Sequence, residues 1–187
     1  MARETDLDKL RHSTAHVMAE AVLELFPDAQ IAIGPSIENG FYYDFELPRA
    51  LTQEDLDVIT ENMKAIMKEG KPFVRKEVSR DEARAFFADQ KYKLELLDAI
   101  PEGEVVTMYN QGKFTDLCRG PHVELTKDLV PEGFKLLNKR LTVQQHSAGK
   151  AFYVGGGGYV TALKQLVKHA LGRGGSVSGD LSHVNAS

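Results

Sequence analysis

The spacing of apolar residues in the first part of the chain predicts a long α-helix over residues 6–26. Apolar side chains recur there every three or four positions, and Pro27 ends the pattern because proline cannot continue a helix. They fall on two faces of the helix, and one of these faces also carries His12 and His16. We therefore expect both histidines to line a cleft and not to point into bulk water.

Short strands and further helices follow this first helix. Thr52 and Ser79 each begin a capping box, and the two helices that they start extend to Gly70 and through Phe87. Alternating or β-rich apolar patterns predict strands over residues 30–33, 37–45, 73–78, 105–110 and 113–118. This order predicts an α+β fold in which an antiparallel sheet packs with helices.

The composition changes after residue 137. From residue 138 onward the chain has six basic residues and one acid, with four consecutive glycines at 155–158. We predict a folded domain over residues 1–137 and an atypical basic, glycine-rich extension over 138–187. Within the extension, apolar spacing favours a short helix over 159–171, and the Gly/Ser-rich stretch 172–187 is predicted to be disordered.

The overall composition is that of an ordinary soluble globular protein. The chain has 187 residues, of which 42% are hydrophobic and 27% charged, and it has no apolar run of the length that crosses a membrane. The whole chain has a formal net charge of −4 although residues 138–187 are basic, so residues 1–137 are strongly acidic, which argues against general nucleic-acid binding through charge alone. The single cysteine, Cys118, excludes an internal disulfide and suits the cytoplasm, where we expect the protein.

Two pairs of residues carry the candidate chemistry. His12 and His16 are four positions apart, so a helix projects both imidazoles from the same face. Cys118 and His122 are separated by a segment that Gly-Pro must bend. If the pairs converge, they provide either the nitrogen and sulfur ligands that zinc prefers or a cluster of acid/base groups. The alternative is two unrelated pairs.

Four motifs resemble a known family, the N-terminal editing domain of bacterial threonyl-tRNA synthetases, also called the second additional domain. The resemblance runs in order from about residue 10 to 137 and rests on His12-Ser-Thr-Ala-His16, Ala32-Ile-Gly-Pro35, Asn39-Gly-Phe-Tyr-Tyr-Asp44 and Asp116-Leu-Cys-Arg-Gly-Pro-His122. Alanyl-tRNA editing proteins resemble the chain more remotely, because they share the two histidines and the Cys-x-x-x-His pattern.

The resemblance implies hydrolysis of the ester that joins a wrongly attached serine to threonine tRNA. Serine lacks one methyl group of threonine, and a missing methyl supports only about 10–200-fold discrimination in a synthetic pocket. A second, smaller site can admit the seryl group and exclude the threonyl group. The implied partners are threonine tRNA carrying serine and the remaining synthetase domains of a full-length protein.

The resemblance also implies roles for seven residues. His12, His16, Cys118 and His122 form the centre of the family's editing site, and Lys93 matches a pocket lysine. Tyr43 and Asp116 are the implied substrate-binding residues. Considered without the family, Asp116 could bind the cationic seryl amine, whereas Tyr43 could be a core aromatic residue and Lys93 a solvated surface lysine. Water is a simpler attacker on an activated ester than the Cys118 thiol, so we do not expect a covalent intermediate.

The metal content and the wider context leave alternatives. The threonyl type implies hydrolysis by side chains and ordered water, without a cofactor, whereas the alanyl type implies zinc at His12, His16, Cys118 and His122. The second hypothesis is therefore a zinc-dependent hydrolase acting on another aminoacyl-tRNA. A third hypothesis is a tRNA-binding module without catalysis. The titratable side chains of the candidate site argue against it, because binding alone would not require them. The sequence lacks the family's preceding small domain and following catalytic domain, so we expect an excised, freestanding or altered editing domain with weak tRNA affinity.

Overall fold

The computed structural model describes residues 6–37, 40–138, 144–145, 151–152 and 158–160, with only the backbone described for 137–138 and the last three short segments. Four α-helices and one short 3-10 helix lie in the described part. The α-helices are α1 (Asp6–Leu25), α2 (Gln53–Glu69), α3 (Arg80–Phe86) and α4 (Lys91–Ala99), and the 3-10 helix is Thr126–Asp128.

The described strands are short and pair only in the antiparallel sense. They are β1 (Gln30–Ile31), β2 (Ser36–Ile37), β3 (Gly40–Phe41), β4 (Phe45–Glu46), β5 (Val74–Val78), β6 (Val106–Gln111), β7 (Phe114–Leu117), β8 (Leu136–Asn138), β9 (Gln144–Gln145), β10 (Ala151–Phe152) and β11 (Gly158–Val160). They form four sheets, in which the strand orders are β1-β4, β9-β10, β2-β3-β11-β8 and β5-β6-β7. The α+β class predicted from the sequence is confirmed, with the strands divided among these small sheets.

The predicted helix ends are confirmed where side chains cap the backbone. Thr52 accepts a hydrogen bond from the backbone N–H of Asp55, and the Asp55 carboxylate accepts one from the N–H of Thr52. Ser79 and Glu82 form the same reciprocal pair at the start of α3. The first helix ends at Leu25, two residues before Pro27. Local side-chain chemistry was sufficient to predict these boundaries.

The predicted strand over residues 37–45 is wrong as a continuous element. The range contains parts of three short strands, because Ile37 ends β2, Gly40–Phe41 is β3 and Phe45 begins β4. Between β3 and β4 the backbone bonds to the preceding loop: the N–H of Asp44 donates to Ile33 and that of Tyr42 to Pro35. Phe41, Tyr43 and Phe45 are all buried, but so is Asp44, so burial does not follow a simple two-residue alternation.

The predicted helix over residues 159–171 is wrong at its start. Gly158–Val160 is a strand that pairs with β8 on one side and β3 on the other. Pairing on both edges compensates for the weak strand propensity of glycine. The rest of that predicted helix, and the predicted disordered stretch 172–187, lie outside the described residues. The division of the chain at residue 137 stays a prediction, although β11 comes from beyond it.

Two apolar clusters hold the elements together. The larger cluster joins α1 and α2 to the loops and strands of residues 29–45, and the smaller one joins α3 and α4 to β6. Because α1 is buried along its middle turns, from Ser13 to Val22, its backbone has little freedom to move the residues it carries. Within the described residues, no helix is long and apolar enough to cross a membrane.

Replacing Thr52 with alanine should lower the free energy of unfolding by about 1 kcal/mol, because the N–H of Asp55 loses its acceptor. Thr52→Ser is the matched control, since serine keeps the hydroxyl oxygen and should stay within a few tenths of the parent value. Urea unfolding of the three proteins measures the difference. Equal losses in both variants would show that the hydroxyl does not stabilise α2.

Candidate active site

Helix α1 supplies one wall of the site. His12 and His16 lie one turn apart on it, with ring centroids 5.1 Å apart, and the predicted orientation toward a cleft is confirmed. His16 is only 1% exposed, whereas His12 is partly buried. The helix therefore presents one imidazole at the surface of the pocket and a second one deeper in its wall.

The loop after β7 brings the second pair of residues to the first. The Sγ atom of Cys118 lies 3.3 Å from Nε2 of His12 and 3.3 Å from Nε2 of His122. The loop turns sharply at Gly120, where φ is +72° and an added Cβ would lie 2.4 Å from the Tyr109 hydroxyl oxygen. Only glycine fits this backbone, and the predicted convergence of the two pairs is what the structure shows.

Ser13 fixes the position of His122 from the helix. Its Oγ atom lies 3.0 Å from Nδ1 of His122 and accepts a hydrogen bond from the N–H of Val123, also at 3.0 Å. The His122 ring stacks on Phe73 with centroids 4.9 Å apart. The sequence did not single out Ser13, which is fully buried; its place next to His12 within the His-Ser-Thr-Ala-His motif was the available signal.

A buried ion pair forms the floor of the site. The Lys93 ammonium group pairs with Oδ1 of Asp116, and the two side chains are 1% and 4% exposed. Tyr43 joins them, because its hydroxyl donates to Oδ2 of Asp116 at 2.6 Å and accepts from Nζ of Lys93 at 3.0 Å. Lys93 is thus not a surface lysine, and Tyr43 is both a core aromatic residue and a member of this network.

Lys93 makes two hydrogen bonds and one ion pair. An ammonium group has three N–H donors, and those of Lys93 face the Ala32 carbonyl oxygen, the Tyr43 hydroxyl and Asp116. Both carboxylate oxygens of Asp116 are likewise approached by a donor or a cation. A substrate group that binds directly to either residue must therefore displace one of these partners.

Their surroundings favour the neutral form of the three imidazoles. Burial is the main cause that lowers the pKa of each one, well below the usual value for His16 and His122. The neighbouring His12 and Lys93 lower the pKa of His16 further, while Asp116 acts in the opposite direction on His12 and His122. Burial, followed by the Asp116 charge, raises the pKa of Tyr43 well above 10, so its phenol stays protonated.

A pocket of about 350 Å³ opens above these residues. Five of the seven predicted site residues line it, namely His12, His16, Lys93, Asp116 and Cys118. The other two, Tyr43 and His122, do not line the pocket. Tyr43 is hydrogen-bonded to Asp116 and Lys93, and His122 lies against the Cys118 sulfur. Its remaining walls are the loop segments 33–36 and 117–120. On the rim, Arg119 is 76% exposed and pairs with Glu104 at 2.7 Å.

Gln111 is the other residue that the sequence did not reveal as part of the site. It ends β6, is fully buried, and donates hydrogen bonds from Nε2 to the His16 carbonyl oxygen (3.2 Å) and to Oε2 of Glu20 (3.4 Å). In the sequence, Gln111 and Gly112 lie between the predicted strands 105–110 and 113–118, a pattern that indicates only a turn. Its partners lie some 90 positions earlier in the chain, and no local pattern points to them.

The cluster also has the composition of a zinc site. The candidate ligand atoms of His12, His16, Cys118 and His122 all lie within 4.8 Å of one another. Tetrahedral zinc with nitrogen and sulfur ligands separates those atoms by roughly 3.3–3.8 Å. The two 3.3 Å contacts of Cys118 fall at the short end of this range. Since the imidazoles are neutral, they can act either as ligands or as acceptors of a proton.

Comparison with known proteins adds a family to this geometry. Residues 106–150 match the family described as the threonyl and alanyl tRNA synthetase second additional domain. A threonine–tRNA ligase of Dehalococcoides mccartyi is 58% identical over 134 residues, which are 72% of this chain and 22% of the ligase. Those of Treponema pallidum and Bacillus velezensis are 52% and 53% identical over 134 and 137 residues, again 72% of this chain, and 23% and 21% of the ligases.

The chain thus spans about a fifth of the length of the curated relatives that it matches. The matched family and the identity to these ligases confirm the resemblance drawn from the four motifs. This chain carries a second additional domain of the threonyl-tRNA synthetase type.

Proposed function

We propose that this domain hydrolyses the ester bond between serine and threonine tRNA. The observation that carries the proposal is the pocket itself, in which neutral imidazoles and a buried lysine–aspartate pair meet in a domain of the threonyl type. The reaction requires serine-charged threonine tRNA as substrate. In a full-length protein the remaining synthetase domains would hold that tRNA, and we place the reaction in the cytoplasm.

The proposed step is attack of a water molecule on the ester carbonyl carbon. The bond from that carbon to the ribose oxygen breaks, the ribose oxygen takes up a proton, and the products are serine and tRNA with a free hydroxyl group. His12 is our candidate for accepting the proton of water, because it lines the pocket, is neutral and is only partly buried. Burial lowers its pKa, while the Asp116 charge and the nearby Pro121 backbone act in the opposite direction.

Lys93 supplies positive charge in the pocket wall. Positive charge near the ester carbonyl oxygen, which becomes negative during the attack, stabilises the transition state, and a low-dielectric site strengthens this effect. Because Lys93 already donates to Ala32 and Tyr43 and pairs with Asp116, we propose that it acts at short range through its charge and through its ion pair with Asp116. Asp116 remains the proposed group for the seryl amine, which would compete with Lys93 for the carboxylate.

Discrimination against threonine is proposed to arise from packing. The pocket wall at Gly34 lies directly against the Tyr43 ring, where an added Cβ would be 2.1 Å from Cδ2. Tyr43 is fully buried and hydrogen-bonded to Asp116, so this wall has no space into which to retreat. A rigid pocket that accepts the seryl side chain can therefore reject one additional methyl group by overlap.

The second candidate function is a zinc-dependent hydrolase of the alanyl-tRNA-editing type acting on another aminoacyl-tRNA. The spacing of the four ligand atoms favours it, and His12, His16, Cys118 and His122 would hold the ion. Bound zinc would lower the pKa of a water molecule to about 7, so that hydroxide is available near neutral pH. We place hydrolysis without metal first because the chain resembles the threonyl type at high identity. A tRNA-binding module without activity is the third candidate.

Replacing His12 with alanine should lower kcat for seryl-tRNA deacylation by about 100-fold or more, because a general base typically contributes that much. KM should change little, since the imidazole is proposed to act in the transition state. Lys76→Ala is the control, because Lys76 is exposed on β5 and lines a different pocket. If both variants keep full activity, His12 is not the base. If the parent chain is inactive, the hypothesis of a tRNA-binding module without activity is favoured.

Removing metal should leave the activity unchanged. We expect protein purified without added zinc to contain far less than one zinc per chain and to deacylate seryl-tRNA equally well with or without a chelator. Elemental analysis and initial rates on the same preparation provide both measurements. Activity that a chelator abolishes and stoichiometric zinc restores would contradict hydrolysis without metal and would select the zinc-dependent alternative.

A further inference from the structure

The mouth of the pocket carries an exposed cation that the proposed mechanism does not use. Among the lining residues that the structure describes, Arg119 alone is exposed, whereas the others are buried or half-buried. The other permanent cation among them, Lys93, is only 1% exposed and pairs with Asp116. A ligand group at the mouth therefore meets the Arg119 guanidinium, while the Lys93 ammonium lies deeper in the wall.

The backbone that carries Arg119 is held on both sides. Before it, the N–H of Cys118 donates to the Thr107 carbonyl oxygen at 3.1 Å, and the Thr107 hydroxyl donates to the Cys118 carbonyl oxygen at 2.6 Å. After it, the N–H of Gly120 donates to Sγ of Cys118 at 3.2 Å. The base of the Arg119 side chain is thus fixed at the rim, while the side chain itself is 76% exposed.

Most of the hydrogen-bonding capacity of Arg119 is open to a ligand. A guanidinium group has five N–H donors. Within the described residues its one hydrogen bond runs from Nη2 to Oε2 of Glu104, at 2.7 Å. The Glu104 side chain is 46% exposed, and solvent weakens an ion pair between two exposed groups. An anion can therefore bind Arg119 either beside Glu104 or in its place.

The proposed substrate brings an anion to this part of the pocket. The ester is attached to the ribose of the terminal nucleotide, and the phosphate of that nucleotide is attached to the 5′ carbon of the same ribose. Arginine suits a phosphate group because its planar fork can donate to two oxygens at once. Since residues 1–137 are acidic and do not attract RNA in general, binding of a phosphate requires a local cation.

We propose that Arg119 binds the phosphate group of the terminal nucleotide and so holds the ester in the pocket beside His12. The identity of the ligand as an aminoacylated RNA end rests on the proposed function, whereas binding of the phosphate does not require hydrolysis. A residue that contacts the phosphate, far from the bonds that change, stabilises the bound substrate and the transition state equally. Its loss therefore raises KM and leaves kcat little changed.

Equilibrium binding of two ligands that differ by one phosphate tests this site without hydrolysis. NMR titration of the whole chain, with a chelator present, should give a Kd for adenosine 5′-monophosphate roughly 10-fold or more below that for adenosine. In Arg119→Ala the ratio of the two Kd values should fall toward one. Equal Kd values in the unmodified chain, or a preference that Arg119→Ala retains, would overturn the proposal.

Two further variants separate the phosphate contact from other effects of removing a charge. Arg84→Ala is the matched control, because Arg84 is also an exposed arginine paired with a carboxylate, that of Asp98, and does not line the pocket. Glu104→Gln removes the ion pair and keeps the cation. Both variants should retain the preference for the phosphate. Its loss in either of them would contradict a direct contact between Arg119 and the phosphate.

Deacylation of the seryl esters of the same two compounds then connects the site to the reaction. In Arg119→Ala, KM for the ester that bears the phosphate should rise roughly 10-fold, with kcat little changed. If the unmodified chain hydrolyses neither ester, the proposed function fails, while the Kd values still decide the role of Arg119. If it hydrolyses both esters with the same KM, the function is supported and the phosphate site is overturned.

Discussion

The buried ion pair between Lys93 and Asp116 is the interaction on which the rest of the site depends. Removing two charges from water is costly, and an interior pair is stable only when its remaining hydrogen bonds are satisfied. Here Tyr43 and the carbonyl oxygen of Ala32 provide hydrogen bonds to the two charged groups, to Asp116 and Lys93 in the case of Tyr43 and to Lys93 in the case of Ala32. One network thus joins α4, β7 and the segment between β1 and β4, and removing either charge would leave the other unpaired in the interior.

The same pair influences the charge of the imidazoles around it. The Lys93 cation adds to burial in keeping His16 neutral, while Asp116 opposes burial at His12 and His122. Neutral imidazoles around a compensated carboxylate give a site that can accept protons or bind a metal ion near neutral pH. The fold achieves this with a helix that is buried along its middle and a glycine turn that fits no other residue.

Much of this was predictable from the sequence, because the informative residues act locally. The two helix caps, the turn at Gly112 between β6 and β7, and the histidine pair on α1 all follow from short-range rules of spacing and hydrogen bonding. The pairing of Cys118 with the histidines was suggested by their chemistry. The roles of the site residues in hydrolysis remain predictions.

The parts that could not be predicted depend on contacts between distant segments. Helix α4 was missed because Gln90, at its start, makes no side-chain cap. The burial of Lys93 depends on residues 50 and 61 positions away, and nothing in its own neighbourhood distinguishes it from a surface lysine. Strand β11 was interpreted as helix because its partners, β3 and β8, are remote in sequence.

The most direct test of the account is the ratio of deacylation rates for seryl-tRNA and threonyl-tRNA, measured with this chain alone on the same threonine tRNA. Hydrolysis of the seryl ester should be about 10–200-fold faster than that of the threonyl ester, the range that one excluded methyl group supports. Equal hydrolysis of the two esters would contradict it, because the pocket would then not distinguish the amino acids by size.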